Sequence, residues 1–181
     1  MKKIIAAAIL LINTSVFAQT EKGDWLAGGT IGFRTNKNNS EFNLSPNGGY
    51  FFANNFVAGI NLQIETSKTG DVKQTTLGTG PFARLYVGKG NFRPFAITSV
   101  DYLYKSIKNT TKTTSNGVGW LIGAGGAAFL NSAVALEAIA GYNYTKFSGA
   151  GSDNGFSLKF GFQVYINRDK MQSLKRGRIN D

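Results

Sequence analysis

The segment GFSLKFGFQVYI, Gly155 to Ile166, puts Phe156, Leu158, Phe160, Phe162, Val164 and Ile166 on one parity and Ser157, Lys159, Gly161, Gln163 and Tyr165 on the other. Side chains of a strand alternate between its two faces, so this stretch makes a sheet that is apolar on one side and polar on the other. Something apolar must cover the first face. On the second, Lys159 must meet water or an opposite charge.

The same period returns along the chain. DWLAGGTIGFR from Asp24, EFNLSPNGGYF from Glu41, FVAGINLQIE from Phe56 and LGTGPFARLYV from Leu77 all alternate. RPFAITSVDYLY from Arg93, VGWLIGAGGAAF from Val118 and AVALEAIAGYNY from Ala133 do likewise, which makes eight strand candidates with the closing segment. The connections FANN, GKGN and LNS are short. TNKNNS, ETSKTGDVK, KSIKNTTKTTSNG and FSGAGSDNG are longer, polar and rich in Ser, Thr, Asn and Gly. An even number of strands joined by turns on one side and long loops on the other predicts an all-β, eight-stranded antiparallel up-and-down transmembrane barrel, with both chain ends on the periplasmic side. The nearly continuous apolar run from Gly117 to Tyr142 would suit a membrane helix only if Asn131-Ser132, Glu137 and its many glycines were ignored.

The first residues say where such a chain goes. Met1-Lys2-Lys3, the apolar run Ile4 to Ile12 and Val16-Phe17-Ala18 form a secretory signal, so residues 1–18 are expected to be cleaved and the mature chain to begin at Gln19. No cysteine is present, which excludes disulfides, thiol chemistry and a lipidated N-terminal cysteine. The net charge of +10 falls to +8 once Lys2 and Lys3 leave with the signal. Such charge suits nucleic acid, but export argues for acidic lipid headgroups or cell-wall polymer instead.

A soluble ligand-binding barrel also has one apolar face, so the other face decides. Charged residues make up 17% of the chain, against a usual quarter, and the polar parity is mostly Gly, Ser, Asn, Thr and Gln. That composition suits a narrow lumen better than a surface in water. Trp25, Tyr50, Phe56 and Phe92 fall near the short-turn end and Phe33, Tyr104, Trp120, Tyr144 and Phe147 near the loop end, as expected of two interfacial girdles.

Taken in order, YFFANNFVAGINL, GPFARLYV, NFRPF, NSAVALEAIAGYNY and FSLKFGFQVYI resemble the small outer-membrane β-barrels of the OmpA and OmpX type, in the form common in Bacteroidota. The likeness spans nearly all of the mature chain, with the outer-membrane barrel expected over 19–166 and a periplasmic tail over 167–181. It implies an eight-stranded monomer in outer-membrane lipid, inserted by the outer-membrane assembly machinery, with a role in envelope integrity, adhesion or small-solute passage. The family usually ends on an aromatic assembly signal. Here Tyr165-Ile166 is followed by the basic tail NRDKMQSLKRGRIND, 167–181, which either touches anionic lipid or cell-wall polymer or is a solvated extension.

Enzymes are known among outer-membrane barrels, but those activities use a histidine, and this chain has none. GAGG lacks the spacing of a dinucleotide fingerprint, GKGN lacks the hydroxyl residue that completes a phosphate loop, and no metal-ligand cluster or cofactor motif is present. The constellation that remains is charge on the interior parity. Arg84 and Glu137 lie a few residues above the short turns, whereas Asp101 and Lys159 lie higher. Buried opposite charges at similar depth should pair, so Arg84 with Glu137, and Lys159 with Asp101 or Glu137, are expected to form a polar network plugging the lumen. The function expected is non-enzymatic, through envelope structure or through loops such as Lys105 to Asn116, whose lysines would either bind an anionic surface or serve as solvated connectors. The alternatives are a small porin or solute conduit and, further off, a soluble periplasmic binding barrel.

Overall fold

In a computed structural model of the chain, residues 20–35, 39–69, 72–108, 112–149 and 151–168 are described, with side chains except at 33–35, 39–41, 69, 72, 108 and 112. The expected signal segment and the tail beyond residue 168 lie outside them. Eight strands follow one another: β1 (Trp25–Thr35), β2 (Asn39–Ala53), β3 (Phe56–Thr69), β4 (Val72–Tyr86), β5 (Phe92–Lys108), β6 (Lys112–Phe129), β7 (Val134–Phe147) and β8 (Ser152–Ile166). Each pairs antiparallel with its neighbour in sequence, and β1 pairs with β8 to close a barrel. The closing ladder runs from Trp25↔Ile166 to Ile31↔Phe160, so through this stretch both edges of β1 and of β8 are paired.

Trp25 pairs with both Tyr50 and Ile166, so the start of β1 and the end of β8 share one end of the barrel with the turns at 54–55, 87–91 and 130–133. This is called the turn end below, and the opposite one the loop end. Following direct partners around the wall from Trp25 leads through Tyr50, Ala58, Ala83, Thr98, Ile122 and Tyr142 to Phe156, which is ten residues from Ile166 along β8. A stagger of that size over eight strands tilts them by roughly 40° from the barrel axis. A row of directly paired residues therefore climbs toward the loop end on passing from β1 to β8.

The long polar loops expected from the sequence are mostly strand. β3 and β4 continue to Thr69 and Val72, and β5 and β6 to Lys108 and Lys112, so most of ETSKTGDVK and KSIKNTTKTTSNG is hydrogen-bonded hairpin. The ladder persists because these segments are rich in threonine, and Thr66 faces Thr75 and Ser106 faces Thr114 across adjacent strands. The asymmetry between the barrel ends lies in this strand extension. β5 and β6 run for 17 and 18 residues, well beyond the 9–11 or so that cross a bilayer.

Burial follows the parity. Ile31, Ile60, Leu62, Leu77, Leu85, Val100, Ile122, Leu136, Phe160 and Phe162 lie exposed on the outer wall, while Leu26, Phe51, Val57, Phe82, Phe95, Leu121, Ile139 and Tyr165 are buried inside. Two aromatic groups border the outer belt. Trp25 meets Tyr50 edge-on with centroids 5.2 Å apart at the turn end, and Trp120 stacks on Tyr144 at 5.7 Å toward the loop end. Phe147 does not belong to the upper group: it shares the inward parity of Ala135 and Glu137 and lines the mouth of the lumen, with the Lys105 Nζ 4.8 Å from its ring centroid. Phe33 falls outside the described side chains.

Candidate functional site

The lumen has two halves. The half toward the turn end is closed by aromatic side chains around one ion pair. Arg84 on β4 and Glu137 on β7 project inward from walls three strands apart, and Arg84 Nη1 donates to Glu137 Oε2 at 2.8 Å. Each is 3% exposed. The second carboxylate oxygen is also engaged: the Tyr165 hydroxyl lies 3.1 Å and the Tyr86 hydroxyl 3.5 Å from Glu137 Oε1, with 3.0 Å between the two hydroxyls. A carboxylate accepting from a guanidinium and from phenols has its charge spread over several donors, which makes its burial tolerable.

Apolar rings complete this floor. The guanidinium of Arg84 sits 5.2 Å from the ring centroid of Phe82 and 5.3 Å from that of Phe95. Tyr165 packs on Phe129 at 4.8 Å, and Tyr86 on Phe95 at 5.1 Å. The sequence-based reading of the interior as small and polar therefore holds only for the upper half. Below it, large rings fill the space because glycines stand beside them: a Cβ on Gly49 would meet the ring of Phe82, and one on Gly125 the ring of Phe95.

Beneath the floor the chain seals itself. The Gly23 amide donates to the Phe51 carbonyl at 2.9 Å, the Asn55 amide to the Thr20 carbonyl at 2.7 Å, and the Lys22 amide to Asn54 Oδ1 at 2.9 Å. Arg93 extends from β5 to donate to the Thr20 hydroxyl, which itself donates to Asn55 Oδ1 at 2.6 Å. The Arg168 amide donates to Asp24 Oδ1 at 3.2 Å, so the segments before β1 and after β8 are joined. Thr20 and Asp24 are both 2% exposed.

Above the floor lies a cavity of ≈ 550 Å³, and Phe82, Arg84, Ile97, Leu121 and Ile139 are among the residues at its base. Asn43, Asn61, Gln63, Glu65, Asp101 and Lys159 give it a polar wall. Ser99 donates to Asp101 Oδ2 at 3.0 Å, and Asn143 Nδ2 to Ser157 at 2.6 Å. Lys159 has Asp101 and Glu65 as its charged neighbours across this cavity.

The four residues singled out from the sequence thus fall into two groups. Arg84 and Glu137 meet in the floor; Asp101 and Lys159 face the cavity, where Lys159 has both Asp101 and Glu65 as charged neighbours while Glu137 is taken by Arg84. The residues missed are Glu65, Tyr86, Tyr165 and Arg93. Their inward parity was readable, but which height each reaches depends on the ten-residue stagger of the closed wall. Among the described residues no group of three His, Cys, Asp or Glu side chains could hold a metal. Both members of the ion pair are engaged with partners in the floor, and the cavity above them has room for water or small polar solutes down to Arg84.

No family model matches the sequence, and no curated protein does either. Solved structures do resemble the fold. The N-terminal β-barrel domain of Pseudomonas aeruginosa OprF aligns at a TM-score of 0.56 with 13% identity, over 80% of this chain and 98% of that one. Neisserial surface protein A aligns at 0.53 with 15% identity, over 80% and 97%. At that identity the likeness is one of fold: a small closed barrel of eight antiparallel strands.

Proposed function

We propose that the protein is exported and acts as a non-enzymatic outer-membrane barrel, its lumen sealed at the periplasmic end, serving envelope structure and surface interaction through its loop end. One observation carries the reading. From the aromatic group at the turn end up to Thr66 and Thr75, the outward parity of all eight strands holds no charged residue, and the belt is lined by exposed Ile, Leu, Val and Phe. A soluble monomer rarely exposes more than a few hundred Å² of contiguous apolar surface; a belt running right round the wall calls for an apolar solvent. The secretory pattern of residues 1–18 supports export, and the fold likeness to OprF and NspA supports the outer membrane as destination.

Partners follow from that placement. Lipid covers the belt, and the outer-membrane assembly machinery inserts the chain, reading a C-terminal strand whose outward side is Phe160, Phe162, Val164 and Ile166. The protein works as a monomer of Bacteroidota type, with a basic tail that either meets anionic polymer or stays in solvent. Against a conduit stands the floor: a solute entering from the loop end would have to part Arg84 from Glu137 and then pass the seal at Thr20.

Fractionation with gel mobility in detergent tests the reading. The expected result is membrane recovery and a band that shifts on boiling; recovery in the soluble periplasm without detergent overturns it. Planar-bilayer recording tests the seal. Silence is expected, and stable channels abolished by Glu137→Ala would establish the conduit instead.

A further inference from the structure

The outer wall segregates charge by sign. Every acid within the strands (Glu41, Glu65, Asp101, Glu137 and Asp153) falls on the inward parity. Positions of outward parity hold five charges, all lysine: Lys68, Lys73, Lys108, Lys112 and Lys146. Four of them form one row of the ladder, because Lys68 pairs with Lys73, Lys73 with Lys108 and Lys108 with Lys112. The side chains of Lys68 and Lys73 are exposed. Like charges directly opposite on adjacent strands destabilise a sheet, and among the described residues no acid of outward parity in the strands offsets them.

The rows beneath grade into the belt. Two residues down each strand lie the hydroxyls Thr66, Thr75, Ser106 and Thr114, again direct partners, and two further down lie Ile64, Leu77, Tyr104 and, on β6, Asn116. With a rise of about 3.3 Å per residue and a tilt of roughly 40°, the apolar stretch from Phe56 to Ile64 spans about 20 Å of height, and Lys68 stands about 10 Å above it. Those heights match an outer-membrane apolar belt of about 25 Å with a headgroup layer above.

We propose that the exposed pair Lys68 and Lys73 on β3 and β4 is a docking surface for the phosphate groups of lipid headgroups in the leaflet at the loop end, with the hydroxyl row beneath donating to the same headgroups. This rests on the membrane placement proposed above. The occupant is a phosphorylated lipid because the cations begin where the apolar belt ends, on the outer wall rather than at the mouth of the lumen, and because the face carries a single sign of charge. A soluble polyanion would be served by the loop tips; it has no use for a row that climbs directly out of the lipid-facing surface.

The test uses the full chain in detergent micelles, with native mass spectrometry and diphosphoryl lipid A as probe; its dephosphorylated form and inorganic pyrophosphate are the comparison ligands. Wild type should retain lipid A and prefer it to both. A lysine near an anionic membrane surface contributes about fivefold in affinity, so Lys68→Gln with Lys73→Gln should weaken retention about 25-fold, whereas Lys22→Gln at the opposite end should change nothing. Lys68→Arg with Lys73→Arg keeps the charge and should keep the binding. The proposal is overturned if the dephosphorylated lipid binds equally, if pyrophosphate binds as tightly as the lipid, or if the double glutamine variant retains lipid A. Heat-modifiable mobility, read on the same samples, reports the barrel itself: its loss in wild type sinks the membrane reading, while its retention with unaltered lipid binding in the glutamine variant sinks only the docking surface.

Discussion

Removing the Glu137 carboxylate should cost more stability than removing the pair. In Glu137→Ala the Arg84 guanidinium keeps its place at 3% exposure, between the rings of Phe82 and Phe95, with no anion to meet. The Tyr86 and Tyr165 hydroxyls lose their acceptor as well. An uncompensated buried charge of this kind costs about 3–5 kcal/mol. Glu137→Gln keeps an oxygen for the tyrosines and should fall between, at about 2–3 kcal/mol. Replacing both members by apolar residues of similar size, Arg84→Met with Glu137→Leu, removes the charge problem and should return stability to within about 1 kcal/mol of wild type. The coupling energy from the double-mutant cycle should thus exceed about 2 kcal/mol. Urea unfolding in lipid vesicles, followed by tryptophan fluorescence and heat-modifiable mobility, measures these variants and the four proteins of the cycle: wild type, Arg84→Met, Glu137→Leu and the double. Two single variants that each cost under about 1 kcal/mol and add in the double would refute the argument, since the pair would then be solvated and the floor open.

Other positions give independent checks. Gln163 is fully buried with neither amide atom partnered by protein, so Gln163→Leu should stabilise the barrel by about 1 kcal/mol in the same unfolding assay. Gly80→Ala forces a Cβ against the Val100 carbonyl and should cost at least about 2 kcal/mol or prevent folding, whereas Gly155→Ala, with open space around it, should be neutral. Ile60→Arg, in the middle of the outer belt, should cost about 2–4 kcal/mol in vesicles and Thr66→Arg about 0–1; equal costs would contradict a membrane boundary between them. Arg93→Ala should free the Thr20–Asp24 segment, read as faster proteolytic cleavage of the chain just before β1.

How much of this was written in the sequence depends on distance along the chain. The period of two is local, and where one face is apolar it is unmistakable; all eight strands and their facing could be read from it. The signal failed above the belt, because a strand that has left the apolar layer no longer needs an apolar face. Thr66, Thr75, Ser106 and Thr114 then look like loop composition although the ladder runs straight through them. Phe147 was misplaced for a different reason: its aromatic character at a strand end outweighed its parity, which it shares with Glu137.

The lumen was legible only in part, and the cause is geometric. Parity tells that Arg84, Tyr86, Glu137 and Tyr165 all point inward, but it leaves their heights free. Height follows from the ten-residue stagger, a property of the closed wall that no segment carries alone. The same stagger explains why the chemistry divides as it does. Glu137, the inward acid near the turn end, meets large rings and one arginine and becomes part of the floor, whereas Glu65 and Asp101 higher up face a cavity lined by Asn, Gln and Ser. On the outer wall the climb carries Lys68 and Lys73 on β3 and β4 out of the apolar layer and into whatever covers it. One two-residue alternation, wound with one stagger, therefore produces a sealed interior and a basic exterior without a separate sequence element for either.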